Sequence, residues 1–416
     1  MPAQSAPVSW ARWAFYLTGA AAVTTEISIA AFQILMGMAL AVLIASRAAR
    51  GAARVKFRWP AAATPLAAWM AWTLVSLVAH GQFHAGFPQI KKFYVYLMLF
   101  LVAAAVRTVG DARNIVVGWA VAASLSAAWS MEQFARKFHA ARVAHVNFYL
   151  AYIGARITGF MGHWMTFSGQ MMMALLLILA LLLLSREPQG KRWLGIWLIG
   201  AACLVAAALL AAETRSMWGG AAAGAAYLLW FKRRWLIIAI PVTLGVVLLT
   251  NPFDARERVI SIIRPHGEVD SNDHRALLRR VGWKMIEAHP WVGLGPEEVG
   301  PNVARYIPAD VPRPLPDGYY GHLHNIYFHY AAERGLPALA ALLWFFLQAL
   351  HDFSRALRLQ VAPREARWFL HGAIAVILAF MLAGYFEVNW GDSEVLAMLL
   401  AVVGCGYAVI NPAAIP

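Results

Sequence analysis

Long apolar runs separated by polar connections dominate the chain. The run 171–184 (MMMALLLILALLLL) shows no alternation of polar and apolar residues, which predicts a helix and argues against a barrel strand. Read in the same way, the chain predicts about twelve hydrophobic helices. They lie near 10–27, 28–46, 61–79, 90–106, 112–130, 165–185, 193–212, 216–231, 235–250, 324–350, 366–386 and 394–411. The pattern therefore predicts an all-α integral membrane protein whose two termini share one side.

Composition supports a lipid environment. Hydrophobic residues make up 61% of the 416 residues and charged residues only 13%, against about a quarter in soluble domains. The formal net charge of +14 comes from basic residues at the ends of apolar segments, so we expect no nucleic acid as a partner. Cys203 and Cys405 lie in apolar stretches, which predicts thiols buried in lipid that form neither a disulfide nor a metal site.

Lysine and arginine predict the orientation. The short connections near 80–89 and 386–394 carry neither residue and are assigned to the outer side. Both termini are then cytoplasmic in a multi-pass protein of a bacterial inner membrane. The predicted inside cations are Arg47, Arg50, Arg54, Lys56, Arg58, Arg107, Arg113, Arg186, Lys191, Arg192, Lys232, Arg233, Arg234, Arg355, Arg358, Arg364 and Arg367.

The longest polar stretch divides the chain. Helices 1–9 occupy 1–250, a periplasmic loop occupies 251–323, and helices 10–12 occupy 324–416. Within the loop, apolar residues at helical spacing predict a helix over 273–289, with Arg275 and Arg279 on one face. This helix could equally lie on the membrane surface. A second outer loop, 131–164, carries Arg136, Lys137, Arg142 and Arg156.

Several enzyme classes are disfavoured by missing motifs. The chain has no GxxxxGK[ST] loop for a nucleotide, no HExxH for zinc and no GxSxG nucleophile elbow. It has no Asp-x-Asp pair, and the acidic run at 268–273 lacks a liganding spacing. We therefore expect neither a metal nor a nucleotide as cofactor.

The candidate chemistry lies in basic residues of the outer surface. Three arginines have two interpretations each: Arg215, Arg275 and Arg156. Each can be an ordinary interfacial or loop cation, or can bind a phosphate group through two parallel hydrogen bonds. His322 and His324 precede Asn325, which opens a helix. A neutral imidazole there can act as a general base near neutral pH, although simple interfacial histidines are the alternative.

At these residues the chain resembles a known family. The segment His324-Asn325, nine residues and then Gly335 resembles the signature of the O-antigen ligase and polymerase family. Thr-Arg-Ser at 214–216 also fits, as does Arg275 followed by Trp283 and by HPWVGLGP at 289–296. These pieces occur in order over about 155–340.

The resemblance implies a GT-C-like membrane glycosyltransferase that acts without a metal and inverts the anomeric centre. Its donor would be O-antigen on undecaprenyl diphosphate and its acceptor lipid A-core. His324 would be the general base, with His322 in reserve, and Arg215 and Arg275 would hold the donor diphosphate. Asn325, Arg156 and Arg279 would support the site or hold the acceptor. A polymerase that joins repeat units is the alternative within the family, and a glycan flippase or other secondary transporter is the alternative outside it.

Overall fold

The structure, a computed structural model, describes residues 10–48, 59–186, 192–251, 255–261, 264, 272–315 and 320–410. These residues form helices joined by turns and contain no β-strand, which confirms an all-α protein. The predicted inside cations Arg50, Arg54, Lys56, Arg58 and Lys191 lie outside the described residues, as do residues 268–271 of the acidic run.

The helices are numbered here in chain order. They are α1 (Trp10–Thr24), α2 (Ile29–Ala48), α3 (Ala63–His80), α4 (Phe83–Lys91), α5 (Leu97–Ala105), α6 (Val109–Val143), α7 (Phe148–Tyr152), α8 (Trp164–Leu184), α9 (Arg192–Ala211), α10 (Arg215–Arg233), α11 (Ala239–Thr250), α12 (Ala255–Ile260), α13 (Asn272–Ala288), α14 (Val299–Tyr306), α15 (Ile326–Arg334), α16 (Leu336–Arg358), α17 (Arg367–Gly384) and α18 (Ser393–Ile410).

Ten helical segments of the described part are long and apolar enough to cross a membrane, so the chain is a multi-pass membrane protein. The sequence predicts about twelve. The difference arises at two places: α1 has only 15 residues, and α10 and α11, which the 3-10 helix Arg234–Ile238 joins, count as one segment over Arg215–Thr250.

Two predicted boundaries are wrong. The predicted span 324–350 is two helices, α15 and α16, separated at Gly335, and only α16 is long enough to span. The predicted outer loop 131–164 begins as helix, because α6 continues to Val143. With 35 residues, α6 is about 52 Å long and exceeds the hydrocarbon thickness of a bilayer.

The centre of the bundle consists of α8, α17 and α18. Between 72% and 78% of the residues in their apolar segments are buried, as expected for helices that are apolar on all sides. Two glycines bring α10 close to α17: a Cβ at Gly220 would lie 2.8 Å from the Ala379 carbonyl, and one at Gly224 would lie 3.0 Å from the Ala375 carbonyl. Small residues at this spacing allow helix backbones to approach in a membrane.

The long connection forms a small core of its own at one end of the bundle. Leu278, Val281 and Met285 of α13 pack with Val299 and Val303 of α14 in this core. The core extends into α15 through Ala331 and Ala332, so the packing crosses the predicted boundary between 323 and 324. This end of the bundle, called the loop end below, comprises 144–163, 212–216, the described parts of 251–325, and 385–392.

Candidate functional site

Helix α13 supplies one wall of the site, and it lies where the sequence predicts it. Its apolar stripe, which includes Leu278 and Met285, is buried in the core of the loop end. Beside this stripe lie Arg275 and Arg279, which line a cavity of about 560 Å³. The helix therefore packs against protein and presents its two cations to an internal space.

This space, the cation cavity, concentrates positive charge. Among the described residues, five arginines line it and Glu387 is its only carboxylate. The arginines come from four separate parts of the chain: Arg156, Arg215, Arg258, Arg275 and Arg279. The positive charges that line one cavity repel one another, and an anion bound there reduces this repulsion. The cavity therefore has an electrostatic preference for an anion.

Arg156 and Arg258 are held by one backbone carbonyl. The guanidinium groups of both donate to the Glu213 carbonyl oxygen, at 3.2 and 2.9 Å. Arg156 also lies over the Trp164 ring, 4.6 Å from its centroid. Burial and the neighbouring charge of Arg258 lower the pKa of Arg156 to about 10, which leaves it charged at neutral pH. Both cations are thus fixed in orientation before any ligand arrives.

Arg215 is the first residue of α10, directly after Thr214. Its guanidinium donates to Ser261 Oγ at 3.0 Å and to Asn272 Oδ1 at 2.8 Å. Thr214 and Ser216 line the cavity beside it. The amino-terminal end of a helix carries partial positive charge, so α10 adds to the attraction for an anion.

Arg279 differs from the other four arginines. It is half-buried, and in the part of the chain that the structure describes no hydrogen-bond or ion-pair partner contacts it. A cation with unused donors at a cavity wall is suited to bind an anionic ligand.

Glu387 joins the cation cavity to the histidine segment. It is buried, pairs with Arg275 through one carboxylate oxygen, and accepts from His324 Nδ1 at 3.4 Å through the other. Burial would raise the pKa of Glu387, but the His324 hydrogen bond and the Arg275 charge outweigh burial and lower it. Because an ionised carboxylate only accepts, His324 carries its proton on Nδ1 and leaves Nε2 available as a base.

The backbone at His324 has a φ of 48°, in the left-handed region that few residues other than Gly and Asn adopt. Asn325 follows as the N-cap of α15, accepting from the Tyr327 and Phe328 amides at 2.9 and 3.0 Å. Its side-chain amide donates to the Tyr385 carbonyl at 2.8 Å. Asn325 therefore ties the start of α15 to the connection that carries Glu387, and so brings His324 to its partner.

The other end of α15 is held by a close backbone crossing. Gly335 has a φ of 85°, and a Cβ there would lie 1.9 Å from the Trp291 carbonyl oxygen. A Cβ at Gly293 would lie 2.3 Å from the backbone nitrogen of Arg334. Leu294 N donates to Ala332 O and Leu336 N to Pro290 O. Gly293 and Gly335 are thus explained by packing, since the absence of a Cβ lets the two backbones come into contact.

Two further histidines adjoin His324. The His274 ring lies 5.1 Å from it and the His322 ring 4.1 Å, measured between centroids. Burial, and then the neighbouring His324, lower the pKa of His274 to about 4 and that of His322 to about 3. Both rings are neutral at neutral pH, and the low proton affinity of His322 makes it a weak base.

The structure brings most of the sequence-predicted residues together. Arg156, Arg215, Arg275, Arg279 and His324 share the cation cavity. His322 lines a second cavity beside it, and Asn325 lines neither.

Sequence reasoning missed Arg258, His274 and Glu387. The only available signal was that Glu387 is one of two carboxylates in the 386–392 connection, which otherwise has no charge. Among the described residues no three His, Cys, Asp or Glu side chains form a metal-ligand group. Metal independence stays a prediction.

Comparison with known proteins supports the resemblance. Residues 200–343 match the family model described as O-antigen ligase, and they include Arg215, Arg258, Arg275, Arg279, His322 and His324. No curated protein matches the chain. The family matched here implies enzymes of the glycosyltransferase or ligase type that act on lipid-linked glycans. Residues 200–343 of this multi-pass membrane protein are therefore similar to the O-antigen ligase family.

Proposed function

We propose that this protein transfers O-antigen polysaccharide from undecaprenyl diphosphate to lipid A-core, with the loop end in the periplasm of a bacterium. One observation carries the proposal: a cavity lined by five arginines contains, at its wall, a histidine held by a buried carboxylate. The first element suits a diphosphate leaving group and the second suits removal of a proton from a hydroxyl.

The donor diphosphate occupies the cation cavity in this proposal. As the bond between the anomeric carbon and the phosphate oxygen breaks, negative charge grows on the diphosphate. Arg215, Arg258 and Arg156 line this cavity with guanidinium groups that protein hydrogen bonds hold in place. Arg279 also lines it and has no hydrogen-bond partner among the described residues. Preorganised charge of this kind is worth about 10²–10³ in rate for each donor removed. The arginines thereby supply the charge compensation that a divalent cation provides in other glycosyltransferases.

The acceptor hydroxyl loses its proton to His324 Nε2. The hydroxyl oxygen attacks the anomeric carbon from the side opposite the diphosphate, so the configuration inverts and undecaprenyl diphosphate leaves with the bonding electrons. Glu387 accepts a hydrogen bond from His324 Nδ1 and stabilises the imidazolium that forms. A positioned general base contributes about 10²–10⁴ in rate.

A transfer assay tests the proposal. Purified protein in proteoliposomes would be mixed with undecaprenyl-diphosphate-linked O-antigen and O-antigen-free lipopolysaccharide in the presence of EDTA. The critical variant is His324→Asn, because Asn tolerates the left-handed backbone of this position and cannot act as a base. We expect capped lipopolysaccharide from wild type and at least a hundredfold less from the variant.

Each other outcome contradicts part of the proposal. Lengthened lipid-linked glycan without capped lipopolysaccharide would show a polymerase. Movement of the lipid-linked glycan across the bilayer without transfer would show a flippase. Full activity in His324→Asn would reject the base, and loss of activity with EDTA that magnesium restores would reject metal independence.

A further inference from the structure

A second cavity of about 540 Å³ adjoins the cation cavity, and Met165 and Glu387 line both. Its charge is opposite. Among the described residues, its lining includes four carboxylates, one lysine, three histidines and Tyr330. Lys92 donates to the Gly391 carbonyl at 3.1 Å. The carboxylates are Glu297, Glu333, Glu387 and Asp392. Two neighbouring cavities of opposite charge thus share one wall, and that wall contains Glu387, the partner of His324.

The histidines of the second cavity add no positive charge at neutral pH. Burial, followed by the charge of His324, lowers the pKa of His322 to about 3. Burial and the nearby Arg156 lower the pKa of His163. Carboxylates accept hydrogen bonds from hydroxyls and repel phosphate and other anions. Neutral imidazoles accept and donate hydrogen bonds without adding charge.

We propose that this second cavity is the binding site for the acceptor sugar, and that it selects an uncharged, hydroxyl-rich residue over an anionic one. The inference rests on the proposed transfer function, because it assigns the two substrates of that reaction to the two cavities. The volume lies within the range of small-ligand sites and accommodates more than one sugar ring. Charge then sorts the substrates: the diphosphate enters the cation cavity and the neutral sugar enters the carboxylate cavity.

Two of the carboxylates have no ion-pair partner among the described residues and can accept hydrogen bonds from hydroxyls. Glu297 is exposed to the cavity and has the neutral Gln89 amide as a hydrogen-bond donor. Asp392 caps α18 through one oxygen and accepts from Thr166 through the other. The remaining two are engaged by cations, Glu333 by Arg334 and Glu387 by Arg275. Glu297 and Asp392 are therefore the residues that discriminate against a charged acceptor.

The test measures binding of acceptor without donor. The probe is an uncharged hexose trisaccharide, compared with the same trisaccharide oxidised at its primary hydroxyls to carboxylates. The variants are Glu297→Gln and Asp392→Asn, each of which keeps the side-chain shape and, in Asp392→Asn, the oxygen that caps α18. Asp310→Asn, an exposed carboxylate of the same loop that lines neither cavity, is the matched control.

We expect wild type and Asp310→Asn to bind the neutral probe at least tenfold more tightly than the oxidised one. In Glu297→Gln and Asp392→Asn the neutral probe should bind about tenfold more weakly and the preference should shrink. Equal binding of both probes to wild type, or unchanged binding in both variants, would overturn the inference. These outcomes are independent of glycosyl transfer. Selective binding of the neutral probe without any transfer would support the acceptor site and contradict the proposed transferase function.

Discussion

Glu387 lines both cavities and contacts the proposed base, His324. It is buried between a guanidinium and an imidazole, and these partners keep it ionised although burial alone would favour the neutral acid. Because folding lowers the pKa of Glu387, its charge stabilises the fold above the unfolded-state pKa. That contribution is lost as pH falls through the lowered value. Across the neutral range the carboxylate remains available to orient His324.

Replacing Glu387 with Gln should lower kcat by about 10²–10⁴. The amide is nearly the same size, but it no longer stabilises an imidazolium and can present a donor to Nδ1, which disfavours the required tautomer. The acidic limb of the pH–rate profile should also move to lower pH, which a purely structural role would not cause. Glu132→Gln, at an exposed position of α6, is the control, and wild-type kcat in Glu387→Gln would contradict this role.

Arg215 tests whether the donor site needs a guanidinium or only a charge. It spans Ser261 and Asn272 with two directional hydrogen bonds, which an ammonium group cannot make in the same geometry. We expect Arg215→Lys to lower kcat/KM for the lipid-linked donor about tenfold and Arg215→Gln about 10²–10³-fold. Initial rates at varied donor concentration measure both, and equal rates for Lys and wild type would mean that only the charge matters.

At the scale of elements, the break between α15 and α16 positions the site. Asn325 caps one end of α15 and Gly335 allows the 289–296 loop to cross at the other. The buried Arg334 anchors the same helix to the bundle by donating to Thr73 Oγ1 at 3.0 Å and to Gln89 Oε1 at 2.8 Å. His324 thus stands at the end of a helix held at both ends, and its distance from Glu387 depends on both.

Gly335→Ala should destabilise the protein by at least about 2 kcal/mol, since the new methyl group meets the Trp291 carbonyl and alanine disfavours a φ of 85°. Thermal unfolding in detergent, followed by size-exclusion chromatography, measures the loss. Gly37→Ala is the control, because a Cβ there meets nothing within 4 Å and α2 gains helix propensity. Equal Tm values for the two variants would mean that the crossing is looser than its geometry indicates.

At the scale of the whole molecule, the connections that the sequence assigns to the outer side meet in space. Residues of the 131–164 segment, the turn before α10, the long loop and the 386–392 connection all contribute to the cation cavity. Segments that the sequence assigns to the same side of the membrane therefore lie at the same end of the bundle. Which end faces the cytoplasm remains a prediction from the distribution of lysine and arginine.

Thiol accessibility tests that orientation. In a background of Cys203→Ser and Cys405→Ala, we expect a membrane-impermeant maleimide to label Asp310→Cys in cells with a permeabilised outer membrane. Leu359→Cys, at the opposite end between α16 and α17, should be labelled only after lysis. Both positions are exposed, so access to the reagent and not burial decides the result. The reverse labelling pattern would place the cation cavity in the cytoplasm and reject a periplasmic reaction.

Much of the fold could be predicted from local patterns of apolar and polar residues. Apolar runs of membrane length predict α8, α9 and α18 to within two residues, and helical spacing predicts α13 equally well. The errors fall where tertiary contacts outweigh pattern. The break at Gly335 is invisible in an apolar run because it depends on the loop that crosses it, and α6 continues past its apolar part because polar residues also form good helices.

The sequence by itself determined the membrane environment, the helical class and the candidate residues at the loop end, because each depends on residue types and on their spacing along the chain. Only the tertiary structure decided which charges meet. Glu387 and Arg258 lie far along the chain from His324 and Arg156, and nothing in the local sequence marks them as partners. The pairing of Glu387 with His324, and the separation of positive from negative charge into two cavities, arise from contacts between distant segments that close only when the bundle packs.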